Sequence, residues 1–332
     1  MNSTRLDVLA IGDAVVDVIA TTDDSFLEAE GLVKGSMQVL DAAAATRLYA
    51  AMGPARETSG GSAANTVAGI AAMGGRAGFV GQVADDQLGE VFAHDIRAAG
   101  VEFRTPPSDG DVPTGRCLIL VTPDAQRTMN TFPGAAHILS EEALDAQQIA
   151  DAAILYLEAY LWRAERPRAA MRKALRIARQ AGRRIAFTLS DIALIELYRD
   201  HYLEMIEAGL IDILIGNENE IKALARIRDR DGAIGAFAPK VPLLLATCAR
   251  KGAIAVAGDR RVEIKAIPVD DVVDTTGAGD LFAAGFLLGI AQGRALDESL
   301  RMGAIAAAEI IAHFGARPVA DLKALIEEQM TA

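Results

Sequence analysis

The sequence predicts a doubly wound α/β fold, in which a mainly parallel sheet carries helices on both faces and a small second sheet lies beside it. Short apolar runs of four to six residues alternate along the chain with longer segments of helical periodicity. Such alternation is typical of parallel sheets whose strands are connected by helices. Two stretches, at 14–41 and 114–131, break the alternation with strand- and turn-rich sequence and predict the second sheet.

Glycines end several of the predicted elements, because glycine favours neither a helix nor a strand. The predicted strands of the main sheet span 8–11, 77–80, 154–157, 184–188, 211–215 and 243–247. The predicted helices span 66–73, 88–99, 166–181, 281–292 and 299–313; the third is amphipathic and the last two are rich in alanine. The runs 114–122 and 127–131 flank Pro123 and Asp124, which favour a turn, and they predict a β-hairpin.

No repeat, low-complexity tract or linker divides the chain, so one domain is predicted over 1–332. The segments at about 14–58 and 112–132 are predicted to form a lid at the edge of the main sheet. Segments that close over a substrate are a common device for excluding water from a reaction.

The acidic composition limits the classes of partner. The chain has 33 Lys and Arg against 45 Asp and Glu, a net charge of −12. Such a surface repels phosphate backbones and anionic lipid, so neither nucleic acid nor a membrane is expected as a partner. The two cysteines, Cys117 and Cys248, are far apart, which is typical of a reducing compartment. With no leader pattern at the N-terminus, a cytoplasmic location is expected.

The run DTTGAGD at 274–280 is the strongest chemical signal, because it lies between a strand-like segment and a helix. Gly277, Ala278 and Gly279 allow a ligand to approach a helix start, whose first N–H groups are unpaired. This arrangement suits a phosphate that gains charge during transfer. Asp280 follows in the first turn, where a carboxylate can accept the proton of an attacking hydroxyl. A helix cap is the alternative role for Asp280, and the strand–loop–helix context favours catalysis.

Other nucleotide-binding patterns are missing from the sequence. It contains no GxxxxGK[ST] P-loop and no HRD and DFG pair, and its GAG fragment lacks the third glycine of a dinucleotide fingerprint. P-loop enzymes, protein kinases and dehydrogenases are therefore disfavoured.

DTTGAGD closely resembles the C-terminal signature of the PfkB (ribokinase-like) carbohydrate and nucleoside kinases, and GGSAAN at 60–65 resembles their N-terminal signature. The resemblance extends in order over essentially the whole chain. It implies a ribokinase-like fold with a small β-sheet lid, and transfer of the ATP γ-phosphate to a hydroxymethyl group. It also implies that Asp280 is the catalytic base and that Gly277, Ala278 and Gly279 form the anion hole.

Several positions on the ATP side match the family individually. In GNENE, the resemblance assigns Asn217 and Glu220 to an NxxE motif that helps to hold Mg²⁺ and its waters. A helix cap at Asn217 with an exposed Glu220 is the alternative. The run TCARKG at 247–252 resembles the nucleotide-binding loop and implies that Thr247, Arg250 and Gly252 contact ATP. It departs from the usual TLGxxG form at its second and third positions.

Two more residues are assigned to ATP. Thr275, within DTTGAGD, is predicted to contact the nucleotide. Arg127, in the predicted hairpin, resembles a basic residue that reaches the transferring phosphate, and a solvated charge is its alternative. Some relatives use K⁺ near the anion hole, and no residue of this sequence decides whether K⁺ is required here.

The acceptor side is predicted around the end of the first strand. Asp17 matches the family's substrate-binding aspartate, which accepts hydrogen bonds from ring hydroxyls, and Asp13 lies four residues earlier. Together with Gly61 and Asn65, these carboxylates predict a polar pocket suited to a polyol.

Three strings, at 31–41, 128–136 and 312–318, resemble those of the family's adenosine kinases. That resemblance implies that Gln38 and Leu40 face a purine and that the 5′-hydroxyl faces Asp280. A nucleoside kinase acting on adenosine is therefore the first hypothesis. A kinase of ribose, fructose or 2-keto-3-deoxygluconate is the alternative, and a non-catalytic nucleoside or sugar sensor is a third. The expected partners are ATP and a small molecule, with the protein a monomer or a homodimer.

Overall fold

The apolar run LDVLAI forms a strand in which all six residues are buried. Helices cover both faces of such a strand, so it needs apolar residues throughout. The computed structural model describes residues 4–124 and 126–331; residues 1–3 and 332 of the predicted domain and residue 125 of the predicted lid lie outside this part. The strands within it are β1 (Leu6–Ile11), β2 (Val15–Thr21), β3 (Met37–Val39), β4 (Ala55–Gly60), β5 (Ala77–Val80), β6 (Glu102–Phe103), β7 (Gly115–Val121), β8 (Arg127–Phe132), β9 (Ala152–Glu158), β10 (Arg184–Thr188), β11 (Ile213–Asn217), β12 (Leu243–Thr247), β13 (Ala253–Ala257) and β14 (Arg260–Ile264).

The helices alternate with these strands, as the sequence pattern predicts. In chain order they are α1 (Asp24–Ala29), α2 (Ala42–Ala51), α3 (Ser62–Ala72), α4 (Gln87–Ala98), α5 (Ala146–Ala150), α6 (Glu165–Gln180), α7 (Ile192–Glu207), α8 (Glu218–Ala225), α9 (Arg230–Phe237), α10 (Ala278–Ala291), α11 (Leu296–Ile310) and α12 (Leu322–Thr331). Among the residues so described, no helix has the length and apolar composition that crossing a membrane requires.

The large sheet has the strand order β14-β13-β12-β11-β10-β9-β1-β5-β6. Pairing is parallel from β12 to β6, and only the edge pairs β12–β13 and β13–β14 are antiparallel among the described residues. Alternate residues of β1 enter two cores. Val8 and Ala10 pack on the side of α3, α10 and α11, while Leu9 and Ile11 pack on the side of α6 and α7. The predicted α/β class, with helices on both faces, is confirmed.

The second sheet has the order β3-β8-β7-β2-β4. The predicted hairpin is its β7–β8 pair, which is antiparallel from Arg116 opposite Phe132 to Val121 opposite Arg127. Because β2 begins at Val15, soon after β1 ends at Ile11, this sheet lies beside the carboxyl end of β1.

The helix predicted at 66–73 begins earlier, at Ser62, so the run GGSAAN is itself the start of α3. Gly61 precedes it with a φ of 98°, a left-handed conformation that favours glycine. A Cβ at this position would also overlap the carbonyl oxygen of Asp13. The early start brings Ser62 and Asn65 onto one face of the first turn, since residues three apart are neighbours on a helix.

Helices α10 and α11 approach each other through glycines. A Cβ on Gly285 would lie 2.6 Å from the backbone of Met302 and Gly303, and one on Gly303 would lie 2.7 Å from the carbonyl oxygen of Phe282. Real Cβ atoms do not lie so close to backbone atoms, so a residue larger than glycine at either position would force the two helices apart.

Replacing Gly285 by valine is expected to lower the free energy of unfolding by about 3 kcal/mol, because the added carbons meet backbone that cannot move aside. The measurement is the urea midpoint of the wild type and the variant. Gly235→Val in α9 is the matched control, because a Cβ there meets nothing within 4 Å. Equal midpoints for the two variants would contradict close helix packing at Gly285.

Candidate active site

The carboxyl ends of β1, β9, β11 and β12 and one face of the second sheet surround a cavity of about 350 Å³. Ligands of doubly wound sheets bind at this end of the strands. The sequence-predicted residues that line the cavity are Asp13, Asp17, Gly61, Asn65, Asn217, Glu220, Thr247, Gly277, Gly279 and Asp280. The fold thus brings residues from the whole length of the chain to one cavity.

The carboxylate of Asp280 is held by two donors from the first turn of α3. The hydroxyl of Ser62 donates to Oδ1 at 2.6 Å, and the amide of Asn65 donates to Oδ2 at 3.0 Å. Asp280 does not cap α10, since Gly277 occupies the N-cap position. Burial raises the pKa of Asp280 above its ordinary value, and the two donors and the charge of Arg317 oppose the rise.

The start of α10 presents backbone to the cavity. Gly277 has a φ of 78°, and a Cβ there would lie 2.9 Å from the Cβ of Ala316. The N–H of Ala278 donates to the carbonyl of Thr275 at 3.2 Å, and Ala278 itself does not line the cavity. Gly279 lines it, and a Cβ there would meet nothing within 4 Å. The space next to Gly279 is therefore open to a ligand.

Glu158, which sequence reasoning missed, connects three elements at the cavity. Its side chain is fully buried at the end of β9. One carboxylate oxygen accepts from the backbone N–H of Asp13 and the other from that of Ala63, both at 2.6 Å. Burial and the neighbouring Asp13 raise the pKa of Glu158 well above its ordinary value. The available signal was a charged residue at the carboxyl end of an apolar strand.

Two carboxyl groups on the cavity wall are suited to accept hydrogen bonds from a ligand. Oδ1 of Asp13 is buried without a hydrogen-bond partner among the described residues, and Nε2 of His137 lies 3.8 Å away. Burial raises the pKa of Asp13 to about 7, against the charge of Arg163. Burial likewise raises the pKa of Asp17 to about 6, and Arg317 is the main opposing charge.

One face of the second sheet forms the opposite wall of the cavity. The strand register brings the side chains of this face next to one another. Asp17 lies opposite Cys117, and Ile119 opposite Met129, which in turn lies opposite Met37. We call this surface the inner face; its members are Val15, Asp17, Met37, Cys117, Ile119, Met129 and Thr131.

The purine-facing role predicted for Gln38 and Leu40 stays a prediction, and this register does not support it. The side chain of Gln38 donates to Oδ1 of Asn130 at 2.7 Å, and Leu40 packs against the core. Neither residue lines the cavity, which Met37 does. Successive side chains of a strand point to opposite faces, so the residue one position earlier reaches the inner face.

The family model described as pfkB family carbohydrate kinase matches residues 5–322. The chain belongs to the pfkB family. It is an ATP-dependent phosphotransferase that acts on a sugar or a nucleoside.

This pfkB kinase is similar to solved structures along its whole length. A structure of adenosine kinase from Sinorhizobium meliloti has 46% identity and a TM-score of 0.91, with 99% of this chain and 100% of that chain covered. A probable sugar kinase from Rhizobium etli CFN 42 has 42% identity and a TM-score of 0.92 over the same shares. Among curated proteins, 5-dehydro-2-deoxygluconokinase of Shouchella clausii is 28% identical over 81% of this chain and 86% of its own length.

On the ATP side of this pfkB kinase, Asn217 caps α8. Its Oδ1 accepts from the N–H groups of Asn219 and Glu220, both at 2.9 Å. The capping alternative supposes an exposed Glu220, but this residue is buried, with 7% of its surface accessible. Its two carboxylate oxygens accept from the backbone and side-chain nitrogens of Asn217, at 2.9 and 2.5 Å. Burial raises the pKa of Glu220 to about 7.

The predicted nucleotide loop reaches the cavity only in part. Thr247 lines it, whereas Arg250 lies exposed on a short 3₁₀ turn and does not. Gly252 has a φ of 98°, and a Cβ there would overlap the backbone at the end of β14, so the backbone itself requires glycine at this position. Thr275 is exposed, and its neighbour Thr276 lines the cavity instead.

Arg127 of the second sheet contacts the DTTGAGD run. Its guanidinium pairs with Asp274 at 2.6 Å and donates to the hydroxyl of Thr276 at 3.2 Å. The two charged side chains are only 10% and 5% exposed, so the solvated alternative for Arg127 is wrong. Arg127 does not line the cavity; it connects β8 to the segment before α10.

Proposed function

We propose that this pfkB kinase transfers the ATP γ-phosphate to the 5′-hydroxyl of a nucleoside, with adenosine as the acceptor. The observation that carries the proposal is the apolar part of the inner face, where Met37, Ile119 and Met129 lie side by side. A flat purine packs well against methionine and isoleucine, because thioether sulfur and aliphatic carbon both make favourable contacts with aromatic rings. Asp17, on the same face, is placed to accept hydrogen bonds from ribose hydroxyls.

Whole-chain similarity to an adenosine kinase at 46% identity supports the same acceptor. A sugar acceptor is favoured by a different observation, the three carboxyl groups of Asp13, Asp17 and Glu158 on the cavity wall, which suit a polyol. A sugar, however, would leave the apolar patch of the inner face in contact with polar hydroxyls. We therefore keep the sugar kinase as the second candidate.

Phosphoryl transfer depends mainly on positioning and on stabilising charge. In the proposed reaction, Asp280 accepts the proton of the acceptor hydroxyl, in the orientation that Ser62 and Asn65 impose on it. The N–H groups of Gly277 and Gly279, at the start of α10, stabilise the charge that develops on the phosphate, whereas that of Ala278 is bonded to Thr275. Arg127, paired with Asp274 and bonded to Thr276, holds the segment before this helix start in place.

ATP would occupy the part of the cavity next to Thr247, Thr276 and Glu220. No three His, Cys, Asp or Glu side chains in the described part of the chain cluster closely enough to chelate a metal. The residues therefore fit Mg²⁺ that is bound mainly by phosphate oxygens and water, with Glu220 as the protein carboxylate nearby. Mg²⁺ would neutralise phosphate charge, and we propose that Asn217 acts only by fixing Glu220.

The second sheet, built from segments at about 14–58 and 112–132 of a single domain over 1–332, is proposed to be the lid. It contributes the inner face to the acceptor and Arg127 to the helix start. Closure of this sheet over both substrates would exclude water, which otherwise competes as the phosphate acceptor.

An ADP-release assay over adenosine, inosine, guanosine, ribose, fructose and 2-keto-3-deoxygluconate tests the acceptor. We expect the highest kcat/KM with adenosine. We also expect Met129→Gln to lower this kcat/KM at least ~10-fold, because a polar group then replaces the apolar wall under the base. Met52→Gln is the control, since Met52 ends α2 away from the inner face.

Turnover of a sugar with no nucleoside activity would overturn the adenosine proposal in favour of the second candidate. Binding of adenosine without release of ADP, with or without K⁺, would instead indicate a sensor.

A further inference from the structure

We propose that Arg317 is a positioning residue for Asp280, because it fixes the turn of α3 that donates both hydrogen bonds to this carboxylate. The inference rests on the proposed role of Asp280 as the base. Arg317 lies after α11 and does not line the cavity, so it acts on Asp280 through the residues it binds and through its charge.

The guanidinium of Arg317 binds on both sides of the glycine pair that precedes α3. Nη1 donates to the carbonyl of Ala64 at 2.8 Å, and Nη2 donates to the carbonyl and the hydroxyl of Ser59, both at 2.8 Å. Ala64 lies between Ser62 and Asn65, the two donors to Asp280. One planar side chain therefore fixes the end of β4 relative to the first turn of α3.

Asp95 of α4 completes this arrangement from the other side. Its Oδ2 accepts from the N–H and the hydroxyl of Ser59, at 2.8 and 2.5 Å, and from the hydroxyl of Thr58 at 3.1 Å. The Ser59 hydroxyl thus accepts from Arg317 and donates to Asp95. Charge-assisted hydrogen bonds of this kind are stronger than neutral ones, and the junction between the second sheet and α3 is correspondingly rigid.

The positive charge of Arg317, like its hydrogen bonds, supports the proposed role of Asp280 as the base. The groups that face or interact with Asp280 are the neutral donors Ser62 and Asn65 of α3, the carboxyls Asp17 of β2 and Glu158 of β9, the hydroxyls Tyr156 and Tyr160, and the cation Arg317. The other nearby cation, Arg127, is paired with Asp274. Arg317 therefore opposes the rise that burial causes in the pKa of Asp280.

Two substitutions separate position from charge. In Arg317→Met, the cation and all its hydrogen bonds are lost, while the aliphatic volume is largely kept. In Arg317→Lys, the cation is kept, but an ammonium cannot reproduce the planar fork that binds Ser59 and Ala64 together. A residue that mattered only for folding would change the melting temperature and leave the pH dependence of the reaction unmoved.

The experiment measures kcat between pH 5 and 9 at saturating ATP and acceptor, for the wild type and both variants. The base must be ionised, so kcat rises with pH through its pKa, and loss of a neighbouring cation moves this rise to higher pH. We expect a shift of about one pH unit for Arg317→Met, with kcat near neutral pH lowered about tenfold. Arg317→Lys should keep the wild-type pH midpoint and still lose about fivefold in kcat.

Arg179→Met is the matched control. Like Arg317, Arg179 binds a backbone carbonyl, that of Gly209; it also pairs with the carboxylate of Asp212, and both contacts lie at the opposite end of the strands. Its pH profile should coincide with that of the wild type.

A folded Arg317→Met variant with an unshifted profile and wild-type kcat overturns the proposal. If that variant does not fold, the lysine variant decides, and a wild-type kcat for it overturns the proposal equally. Asp280→Asn, assayed in parallel, keeps the two failures distinguishable: if it retains wild-type kcat, the base assignment itself is wrong, whatever Arg317 does.

Discussion

Replacing Asp280 by asparagine is expected to lower kcat at least ~10²-fold while ATP affinity stays nearly unchanged. The amide has almost the size of the carboxylate, so the contact with Ser62 and the packing of α10 remain possible. It cannot, however, accept a proton from the acceptor hydroxyl. Because the pKa of Asp280 is already raised by burial, the wild-type carboxylate is a stronger base than an exposed aspartate.

The measurement combines steady-state kinetics with ATP titration of the purified variant. Asp297→Asn is the control, since the carboxylate of Asp297 pairs with Arg260 at the protein surface. An Asp280→Asn variant with near wild-type kcat would remove Asp280 from the role of base.

Replacing Gly279 by valine is expected to lower kcat/KM for ATP by ~10²–10³-fold without destabilising the fold. A Cβ at Gly279 meets no protein atom within 4 Å, so the helix accepts the side chain. The added carbons then occupy the cavity beside the N–H groups of α10, where the transferring phosphate is proposed to lie. We therefore expect the substitution to reduce the space available to the ligand and to leave the packing of the protein intact.

Two comparisons test this reasoning, and both use melting temperature together with kinetics. Gly235→Val adds the same carbons to a helix outside the cavity and should change neither quantity substantially. Gly277→Ala should reduce both, because its φ of 78° and its contact with Ala316 strain any side chain. If ATP affinity and rate survive in Gly279→Val, the anion-hole assignment is wrong.

The sequence was sufficient to predict the fold class because its apolar runs and turns are clear. Parallel strands of the large sheet, such as β1, are continuous apolar runs, and a turn separates the two strands of the β7–β8 hairpin. The antiparallel edge pair β13–β14 was not predicted. Its outer strand, RRVEI, is largely exposed, and its alternation consists of only two apolar residues, Val262 and Ile264, which is too short a pattern to identify a strand.

Within the site, motif positions were predictable and their partners were not. Asp280 is recognisable from its own run, but its donors Ser62 and Asn65 lie 218 and 215 residues away in the sequence. Contacts at such separations depend on the topology of the sheet and not on any local pattern. Arg317 and Glu158 were missed for the same reason, since each binds backbone groups of remote segments.

The orientation of β3 could not be predicted from the sequence, for a different reason. A strand of three residues, two of them exposed, gives no alternation from which its orientation can be read. The predicted contact at Gln38 and the proposed contact at Met37 differ by one residue, which in a strand means opposite faces.

The inner face and the base belong to different layers of the molecule, and this separation has an evolutionary consequence. Asp280 lies on α10 and its donors on α3, and the packing of α10 on α11 tolerates little change at glycines such as Gly285. The inner face, which is proposed to contact the acceptor, lies on strands of another sheet, so substitutions at Met37, Ile119 and Met129 are expected to leave those helices undisturbed. New acceptors can thus arise by mutation of a few strand positions while the phosphate-transfer machinery is inherited intact, as expected of a family that includes both sugar and adenosine kinases.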